Sequence, residues 1–173
     1  MNLTLPLDKE QLSLLHAGDA CLLSGEMYTL RDAGHMRLLE ELSSAGSLPY
    51  DLSGATIFYA GPTPSAAGRP FGAVGPTTSS RMDFAAPVLY DAGITATLGK
   101  GVRGPEVREA CIRNGSVYFV AVGGAAALLA KCVESSEVVA YGDLGTEALR
   151  RIVVRDFPAF VGIDTLGNDV YEL

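Results

Sequence analysis

Cysteine is scarce in this sequence, and its spacing excludes the common cysteine-based sites. The three cysteines, Cys21, Cys111 and Cys132, are odd in number and lie 90 and 21 residues apart. A disulfide framework needs paired cysteines and a structural metal site needs a short CxxC-type spacing, so neither is indicated. The sequence instead predicts three buried thiols in a reducing compartment.

Positive charge is also in short supply. The chain has 13 lysines and arginines against 20 aspartates and glutamates, which gives a net charge of -7. A protein that binds mainly to a phosphate backbone needs the opposite balance of charge. Nucleic acid is therefore not expected as a partner.

Long hydrophobic runs are absent as well. The most apolar stretch, residues 117–130, is interrupted by Gly123 and Gly124 and is shorter than the roughly 20 residues that cross a bilayer. Residues 1–12 carry a proline and acidic side chains where a signal peptide would have a basic start and an apolar run. The expected location is the cytoplasm, with no membrane attachment.

The chain does contain enough apolar sequence for a packed core. At 173 residues and 48% hydrophobic content, it is expected to form a single domain over residues 1–173. Hydrophobic spacing predicts helices at residues 32–45, 81–92, 105–113 and 125–133, the second of them kinked or broken at Pro87. Strands are predicted at residues 55–60, 94–98, 116–122 and 137–141. A hairpin is predicted at residues 22–30, turning at Ser24-Gly25, and short strands between 152 and 170, interrupted at 156–158 and 166–169. This alternation predicts an α/β fold, a mixed sheet with flanking helices.

A long loop predicted at residues 61–80 ends in a motif rich in hydroxyl groups. Loops longer than about 12 to 15 residues are uncommon in compact domains and are often functional. Residues 75–83 read GPTTSSRMD, in which Gly75-Pro76 predicts a turn and Ser80 with Asp83 fits a helix-capping pattern. Backbone N–H groups at a helix start favour anions. Because Arg81 at that positive end is unfavourable by itself, the motif indicates an anionic ligand.

A lysine flanked by glycines follows the strand predicted at residues 94–98. Gly99-Lys100-Gly101 lacks the glycine spacing and the Ser or Thr of a Walker motif, so a nucleotide site is excluded there. The flexible neighbours allow the ammonium group of Lys100 to approach a ligand. The alternative is an ordinary surface lysine in a turn.

Arg31 lies directly before the helix predicted at residues 32–45. Its planar guanidinium suits a carboxylate ligand, and the alternative is a pair with Asp32. His35 lies four residues further on, on the same helix face, where a histidine is more often structural than catalytic. Arg31, Arg81 and Lys100, three cations at strand–helix junctions of an acidic chain, together predict a site for an anion with two carboxylates.

These motifs resemble those of a known family. Residues 75–83, the segment 31–35 (RDAGH) and Gly99-Lys100-Gly101 resemble the β subunit, or C-terminal domain, of class I iron–sulfur fumarate hydratases and L(+)-tartrate dehydratases. The likeness continues in order through residues 123–127, 144–148, 156–158 and Asp164, and so covers nearly the whole chain. The pattern GPTTS-x-RMD is a specific signature, whereas the other pieces are individually weaker.

The resemblance implies a swivelling β/β/α domain that closes over a 4Fe-4S cluster. The cysteines of that cluster belong to an α subunit or N-terminal domain, so this chain is expected to bind no metal or cofactor by itself. The implied partner is the cluster-bearing α subunit in an α2β2 assembly. Without that partner, the β subunit is expected to be inactive.

Carried over by position, the resemblance places Arg31, Thr77, Thr78, Arg81 and Lys100 in the substrate-binding site. Thr77, Arg81 and Lys100 are the implied catalytic residues. The cations would hold carboxylates and stabilise charge beside the carbon that loses its proton, while Thr77 would position the substrate. The expected activity is that of a fumarate hydratase, a hydro-lyase interconverting fumarate and L-malate. The alternatives are an L(+)-tartrate dehydratase β subunit and a non-catalytic module that binds small carboxylates.

Overall fold

Seven β-strands and five α-helices make up the part of the chain that the computed structural model describes, residues 1–65 and 68–173. The strands are β1 (Asn2–Leu5), β2 (Ala20–Thr29), β3 (Thr56–Phe58), β4 (Ala96–Gly99), β5 (Val117–Val120), β6 (Val133–Ala140) and β7 (Leu149–Ile163). The helices are α1 (Lys9–Ser13), α2 (Asp32–Ala45), α3 (Ala86–Asp91), α4 (Pro105–Asn114) and α5 (Ala126–Leu129). Short 3-10 turns lie at Ser79–Met82, Ala130–Cys132, Gly142–Glu147 and Val170–Glu172. None of these helices is long and apolar enough to cross a membrane.

The strands form one mixed sheet in the order β1-β2-β3-β4-β5-β7-β6. Neighbouring strands within β1 to β5 are parallel to each other. Strand β7 is antiparallel to β2, β5 and β6. Because β7 pairs with both β2 and β5, the sheet closes on itself through β2, β3, β4, β5 and β7. The predicted α/β fold, a mixed sheet with flanking helices, is confirmed.

Alternating side chains of the parallel strands supply two separate cores. Phe58 and Phe119 belong to a buried cluster that includes residues of α1 and α5. Ile57 and Tyr118, each one position away along the same strands, belong to a second cluster beneath α2, α3 and α4. Strands that are buried on both faces need nearly continuous apolar sequence. That requirement explains why these strands are recognisable in the sequence.

Two predicted interruptions of the sheet are wrong, because the turn-like residues face each other at an irregularity in the β2–β7 ladder. Strand β2 continues through Ser24-Gly25 and β7 continues through residues 156–158, with a shift of register between Leu23 and Gly25. The backbone N–H of Asp156 donates to Ser24 Oγ at 2.9 Å. Gly25 has a φ of 121°, and a Cβ there would lie 2.5 Å from the carbonyl oxygen of Leu5 in β1. The glycine therefore serves a bulge and a close approach of β1, not a hairpin turn.

Most helix ends follow local signals as predicted. Helix α2 ends at Gly46, whose φ of 74° is left-handed, and α4 begins at Pro105 and ends before Gly115, whose φ is 59°. The helix predicted at residues 125–133 is shorter, since α5 gives way to a 3-10 turn before β6. Strand β6 begins at Val133, which pairs with Val154 of β7, and so starts earlier than the predicted residue 137.

The helix predicted at residues 81–92 divides into two pieces. Ser79–Met82 form a 3-10 turn, and α3 begins only at Ala86, with Pro87 in its first turn. Because proline lacks an N–H group and is tolerated in the first turn, α3 runs through Pro87, and the interruption lies at residues 83–85 and not at Pro87 as predicted. The predicted capping role of Asp83 toward Ser80 is wrong. Its carboxylate accepts hydrogen bonds from another segment.

A buried ion pair joins the connection between β4 and α4 to Asp83, the residue that follows the 3-10 turn Ser79–Met82. Arg103 Nε donates to Asp83 Oδ1 at 2.6 Å, and the N–H of Gly104, the residue before α4, donates to Asp83 Oδ2 at 2.7 Å. The side chain of Arg103 is 0% exposed and that of Asp83 is 11% exposed. The guanidinium lies 5.2 Å from the ring centre of Tyr59 and 4.7 Å from that of Tyr118. Carboxylate and ring faces together compensate the buried charge.

A second buried polar group, His35, lies in the first turn of α2. Its Nδ1 is 2.8 Å from the carbonyl oxygen of Arg31, and its ring makes an edge contact with Tyr59 at 5.3 Å. Its Nε2 has no hydrogen-bond partner among the described residues. Burial lowers the pKa of His35 to about 4, although the bond to Arg31 and the charge of Asp32 act in the opposite direction. The ring is therefore neutral at physiological pH.

We expect Asp83→Ala to lower the free energy of unfolding by about 3 to 5 kcal/mol, because it leaves the buried Arg103 charge without its carboxylate. Asp91→Ala is the matched control. Asp91 also accepts two hydrogen bonds from an arginine, Arg113, but those side chains are 49% and 52% exposed, and such pairs contribute about 0 to 1 kcal/mol. Urea titration followed by circular dichroism measures both variants. Equal losses would contradict the central role of the buried pair.

We also expect the free energy of unfolding to fall as the pH is lowered through the range set by His35. The unfolded chain accepts a proton on this residue near pH 6.5, whereas the folded chain resists it until about pH 4. The full stability is therefore present above pH 6.5, and about 2 kcal/mol is lost between pH 7.5 and pH 5. His35→Gln should remove this slope in urea titrations. His16→Gln, at an exposed position, should keep it, and a slope that survives in His35→Gln would contradict the interpretation.

Candidate functional site

The residues predicted to bind a ligand lie at the carboxyl ends of parallel strands. Arg31 follows β2, residues 59–78 follow β3, and Lys100 follows β4. Ligands of α/β sheets bind at this edge, beyond the ends of the strands. The loop predicted at residues 61–80 is present in the described residues, except that Ser79 and Ser80 belong to a 3-10 turn. Ala66 and Ala67, which are part of that prediction, lie outside the described residues.

The end of this loop runs alongside the end of β4. The N–H of Thr77 donates to the carbonyl of Tyr59 at 2.7 Å, and the N–H of Lys100 donates to the carbonyl of Thr77 at 3.3 Å. The N–H of Ser79 then donates to the carbonyl of Lys100 at 2.9 Å, and Thr78 forms an isolated parallel bridge with Lys100. The backbone therefore brings Thr77, Thr78 and Lys100 together, although they belong to separate motifs.

Glycines around Lys100 make this close approach possible. A Cβ at Gly99 would overlap Ser79 Oγ, so only glycine allows the two segments to run this close together. Gly101 has a left-handed φ of 83°, which turns the chain away from the strand direction. A Cβ at Gly123 would lie 3.6 Å from Lys100 Cδ, so the lysine side chain passes over the turn after β5.

Arg81 is anchored by a carboxylate at the start of α2. Its Nε donates to Asp32 Oδ1 at 3.1 Å and its Nη2 donates to Asp32 Oδ2 at 2.8 Å. The expectation that Arg81 opposes a helix dipole is wrong, because it lies in a four-residue 3-10 turn and pairs with Asp32. The side chain is still 50% exposed. Since a guanidinium has five N–H donors, the pair with Asp32 orients Arg81 and leaves further donors for a ligand.

Arg31 lies on the other side of the same carboxylate. Its Nε is 3.9 Å from Asp32 Oδ2 and 4.0 Å from Glu147 Oε1, distances too long for hydrogen bonds. This buried Nε has no hydrogen-bond partner among the described residues. Gly61 makes room for the side chain, because a Cβ there would lie 2.7 Å from Arg31 Cδ. A buried donor without a partner favours an acceptor supplied by a ligand.

The ion pairs leave the candidate site positively charged. Asp32 and Glu147 are the carboxylates within 4.0 Å of Arg31 or Arg81, and Lys100 has no carboxylate within that distance in the described chain. Three cations thus face two anions at one edge of a protein with a net charge of -7. A local positive potential in an acidic protein attracts small anions selectively.

Sequence reasoning missed the buried layer beneath these residues. Tyr118 Oη donates to the carbonyl of Gly101 at 2.8 Å and lies 2.9 Å from Ser79 Oγ, so it joins the loops on either side of Lys100. Burial raises the pKa of Tyr118, which keeps the hydroxyl protonated. Arg103 also belongs to this layer, donating to Thr97 Oγ1 at 3.2 Å. The only sequence signal for Arg103 is its place between Gly101 and the helix start at Pro105, which says nothing about burial.

The cysteines do not form a metal or cluster site in the described part of the chain. Cys21 and Cys111 are buried in different cores, and Cys132 is only half-buried, so the prediction of burial is wrong for Cys132. Burial raises the pKa of Cys111 to about 12, which keeps it a thiol. No group of three His, Cys, Asp or Glu residues within residues 1–65 and 68–173 is placed to hold a metal ion. An iron–sulfur cluster needs several thiolates close together, so this chain's residues do not fit one.

Comparison with known proteins shows that the chain is similar to fumarate hydratases. Residues 1–173 match the family described as Fumarase C-terminus. The chain is 39% identical over 164 residues to the anaerobic class I fumarate hydratase of Escherichia coli, covering 94% of this chain and 30% of that protein. It is 37% identical over 176 residues to fumarate hydratase 2 of Leishmania major, covering 99% of this chain and 31% of that protein. The chain therefore spans less than a third of these relatives.

Two shorter relatives match nearly end to end. The putative L(+)-tartrate dehydratase subunit beta of Methanocaldococcus jannaschii is 38% identical over 172 residues, which cover 96% of this chain and 88% of that protein. The L(+)-tartrate dehydratase subunit beta of Escherichia coli is 38% identical over 173 residues, which cover 97% of this chain and 85% of that protein. The predicted resemblance is confirmed. This chain belongs to the Fumarase C-terminus family, which it shares with class I fumarate hydratases and L(+)-tartrate dehydratase β subunits.

Proposed function

We propose that this chain is the β subunit of a class I hydro-lyase, a fumarate hydratase that interconverts fumarate and L-malate. The observation that carries the proposal is the grouping of Arg31, Arg81 and Lys100 at one sheet edge, with the Nε of Arg31 lacking a partner in the described chain. A small dicarboxylate has oxygens enough to accept hydrogen bonds from all three cations. Backbone contacts also bring Thr77 and Thr78, which carry hydroxyl groups, to Lys100.

We infer that the site is completed by an α subunit. The chain corresponds to 30% and 31% of two fumarate hydratases but to 85% and 88% of two β subunits. The 4Fe-4S cluster of such enzymes is assigned to the α subunit, since the cysteines of this chain do not fit it. The proposed assembly contains two subunits of each kind, in a reducing cytoplasm that suits three free thiols.

The proposed roles rest on the resemblance to the family and on the position of each residue at the sheet edge. Arg31 and Lys100 bind the substrate carboxylates. Arg81, oriented by Asp32, stabilises the negative charge that builds on a carboxylate as the adjacent carbon loses its proton. Thr77 and Thr78 contact the substrate, and Thr77 lies nearest the reacting carbons. Because a hydroxyl is a weak base without an activating partner, the role assigned to Thr77 is positioning.

The second candidate function is that of an L(+)-tartrate dehydratase β subunit. The observation in its favour is length, because the chain matches those β subunits nearly end to end. Identities of 37% to 39% do not separate the two activities. A non-catalytic module that binds small carboxylates is the third candidate, and it requires the same cations.

Turnover by the assembled enzyme distinguishes these candidates. The chain is co-purified anaerobically with its cysteine-bearing partner and assayed with L-malate and with L(+)-tartrate. We expect activity with L-malate in the complex and none in the isolated chain. Activity with L(+)-tartrate alone would select the second candidate. An iron-loaded complex inert toward both acids would contradict the proposal of a fumarate hydratase or tartrate dehydratase.

Arg81→Lys is expected to lower kcat/KM of the assembled enzyme at least about tenfold. Lysine keeps the charge but lacks the planar guanidinium that can bind Asp32 and a substrate carboxylate at the same time. The lost charge-assisted hydrogen bond is worth roughly 1.5 to 3 kcal/mol. Since about 1.4 kcal/mol corresponds to a tenfold change in rate, the loss is at least about tenfold. Arg113→Lys is the matched control, since Arg113 makes a similar two-bond pair with Asp91 on an exposed surface. Near-normal turnover in Arg81→Lys would remove Arg81 from the site.

A further inference from the structure

A separate cavity of about 350 Å³ lies beside the candidate site. Its wall is formed by the loop after β3 and by the 3-10 turn before β7, and its lining includes Pro62, Thr63, Phe71, Gly145, Thr146 and Arg150. Gly61 connects it to the candidate site, because a Cβ at Gly61 would lie 2.9 Å from Arg31 Nη1 and 3.2 Å from the carbonyl oxygen of Thr146. The cavity is thus a neighbour of Arg31 and is lined by a different arginine.

Arg150 combines partial burial with the lack of a counter-ion among the described residues. Within the described part of the chain, eight of the ten arginines have a carboxylate within 4.0 Å. Of the remaining two, Arg69 is exposed, whereas Arg150 is half-buried and its Nε is shielded from solvent without a hydrogen-bond partner in the described residues. An arginine stays charged in a protein, so a shielded guanidinium donor calls for an acceptor.

A second unpaired polar group shares a face of the sheet with Arg150. Thr29 is directly opposite Arg150 in the antiparallel β2–β7 ladder, and directly opposite residues have Cβ atoms about 5 Å apart on the same face. Thr29 is 0% exposed, and its Oγ1 has no hydrogen-bond partner within the described chain. Two adjacent cross-strand positions thus carry unused hydrogen-bonding groups, one cationic and one neutral.

Two carboxylates close to Arg150 in the sequence or in the β6–β7 ladder interact with other arginines. Glu147, three residues earlier, lies 4.0 Å from Arg31 Nε, and Glu137 is paired with Arg151 at 3.1 Å. Arg151 is the next residue in β7 and therefore points to the opposite face of the sheet. The charge of Arg150 consequently faces the cavity, and no carboxylate of the described residues lies within 4.0 Å of it.

We propose that this cavity, the Arg150 cavity, is a binding site for a small oxyanion, either a carboxylate or inorganic phosphate. Arg150, which lines the cavity, supplies the charge-assisted N–H donors of this site. Thr63 and Thr146 also belong to the lining. Because Arg31 and the cavity share the Gly61–Thr146 wall, an anion held here lies next to the candidate substrate site without occupying it.

Calorimetric titration of the full 173-residue chain tests the proposal. Wild-type, Arg150→Gln and Arg151→Gln chains are titrated separately with inorganic phosphate and with acetate at constant ionic strength. We expect saturable binding of one anion, weakened at least tenfold in Arg150→Gln and unchanged in Arg151→Gln, together with a shift of the Arg150 Nε–H signal in the NMR spectrum of nitrogen-labelled protein. Saturation with phosphate alone identifies a phosphate site, and saturation with acetate alone identifies a carboxylate site.

Two results would overturn the Arg150 cavity as an anion site. One is that neither anion binds, and the other is that both bind Arg150→Gln as tightly as the wild type. If Arg150→Gln does not fold, Arg150→Lys replaces it, because it keeps the charge and removes the Nε donor, and unchanged affinity in that variant also overturns the proposal. Since these measurements need no partner and no turnover, their outcome is independent of the proposed hydro-lyase activity.

Discussion

The arrangement of the candidate site depends on the buried ion pair between Asp83 and Arg103. Arg103 is fully buried, and its charge is met by Asp83, by polar atoms of Thr97 and Tyr59, and by two aromatic rings. A charge in such a position is tolerable only with this degree of compensation. Asp83 immediately follows the turn that carries Arg81, and Arg103 lies three residues after Lys100. One interaction therefore couples the backbone segments of two of the three site cations.

Carboxylates of the chain position the arginines of the candidate site. Asp32 holds Arg81 through two hydrogen bonds and lies near Arg31 without a hydrogen bond to its Nε. This arrangement offsets the mutual repulsion of the arginines while leaving the Nε of Arg31 without a partner among the described residues. Orientation of this kind reduces the entropy that ligand binding would otherwise cost, which is the advantage of a preorganised site.

The Arg150 cavity lies next to the candidate site and contains an arginine without a carboxylate partner among the described residues. Most arginines of this acidic chain are matched by carboxylates, so an unmatched one with a shielded donor stands out against that background. It shares a wall with Arg31, whose own Nε also lacks a partner among the described residues. Arg31 and Arg150, on either side of residues 61–62, thus each present a guanidinium Nε without a hydrogen-bond partner in the described chain, at the edge of the sheet where β2 and β3 end.

The sequence by itself determined the features that depend on local chemistry. Pro105, Gly46 and Gly115 set helix ends because their backbone preferences act within one turn. The glycines and hydroxyls around Thr77 and Lys100 predict the candidate site from the sequence, since a close backbone approach and anion binding each require particular residue types. The same local rules misread Ser24-Gly25 and Asp156-Phe157-Pro158 as breaks.

Tertiary structure alone decided the outcomes that depend on residues distant in the sequence. The two turn-like segments face each other across β2 and β7, more than 100 residues apart, so each is accommodated by the other. Asp83 has the spacing of a helix cap, yet it pairs with Arg103, whose burial depends on Tyr59 and Tyr118 from two other strands or strand ends. Arg150 likewise resembles its neighbour Arg151 in the sequence. Strand pairing places Glu137 opposite Arg151 and Val138 opposite Arg150, so only Arg151 has a carboxylate across the β6–β7 ladder. The sequence cannot specify this difference, because a hydrogen bond or ion pair needs its partner within a few ångströms in space.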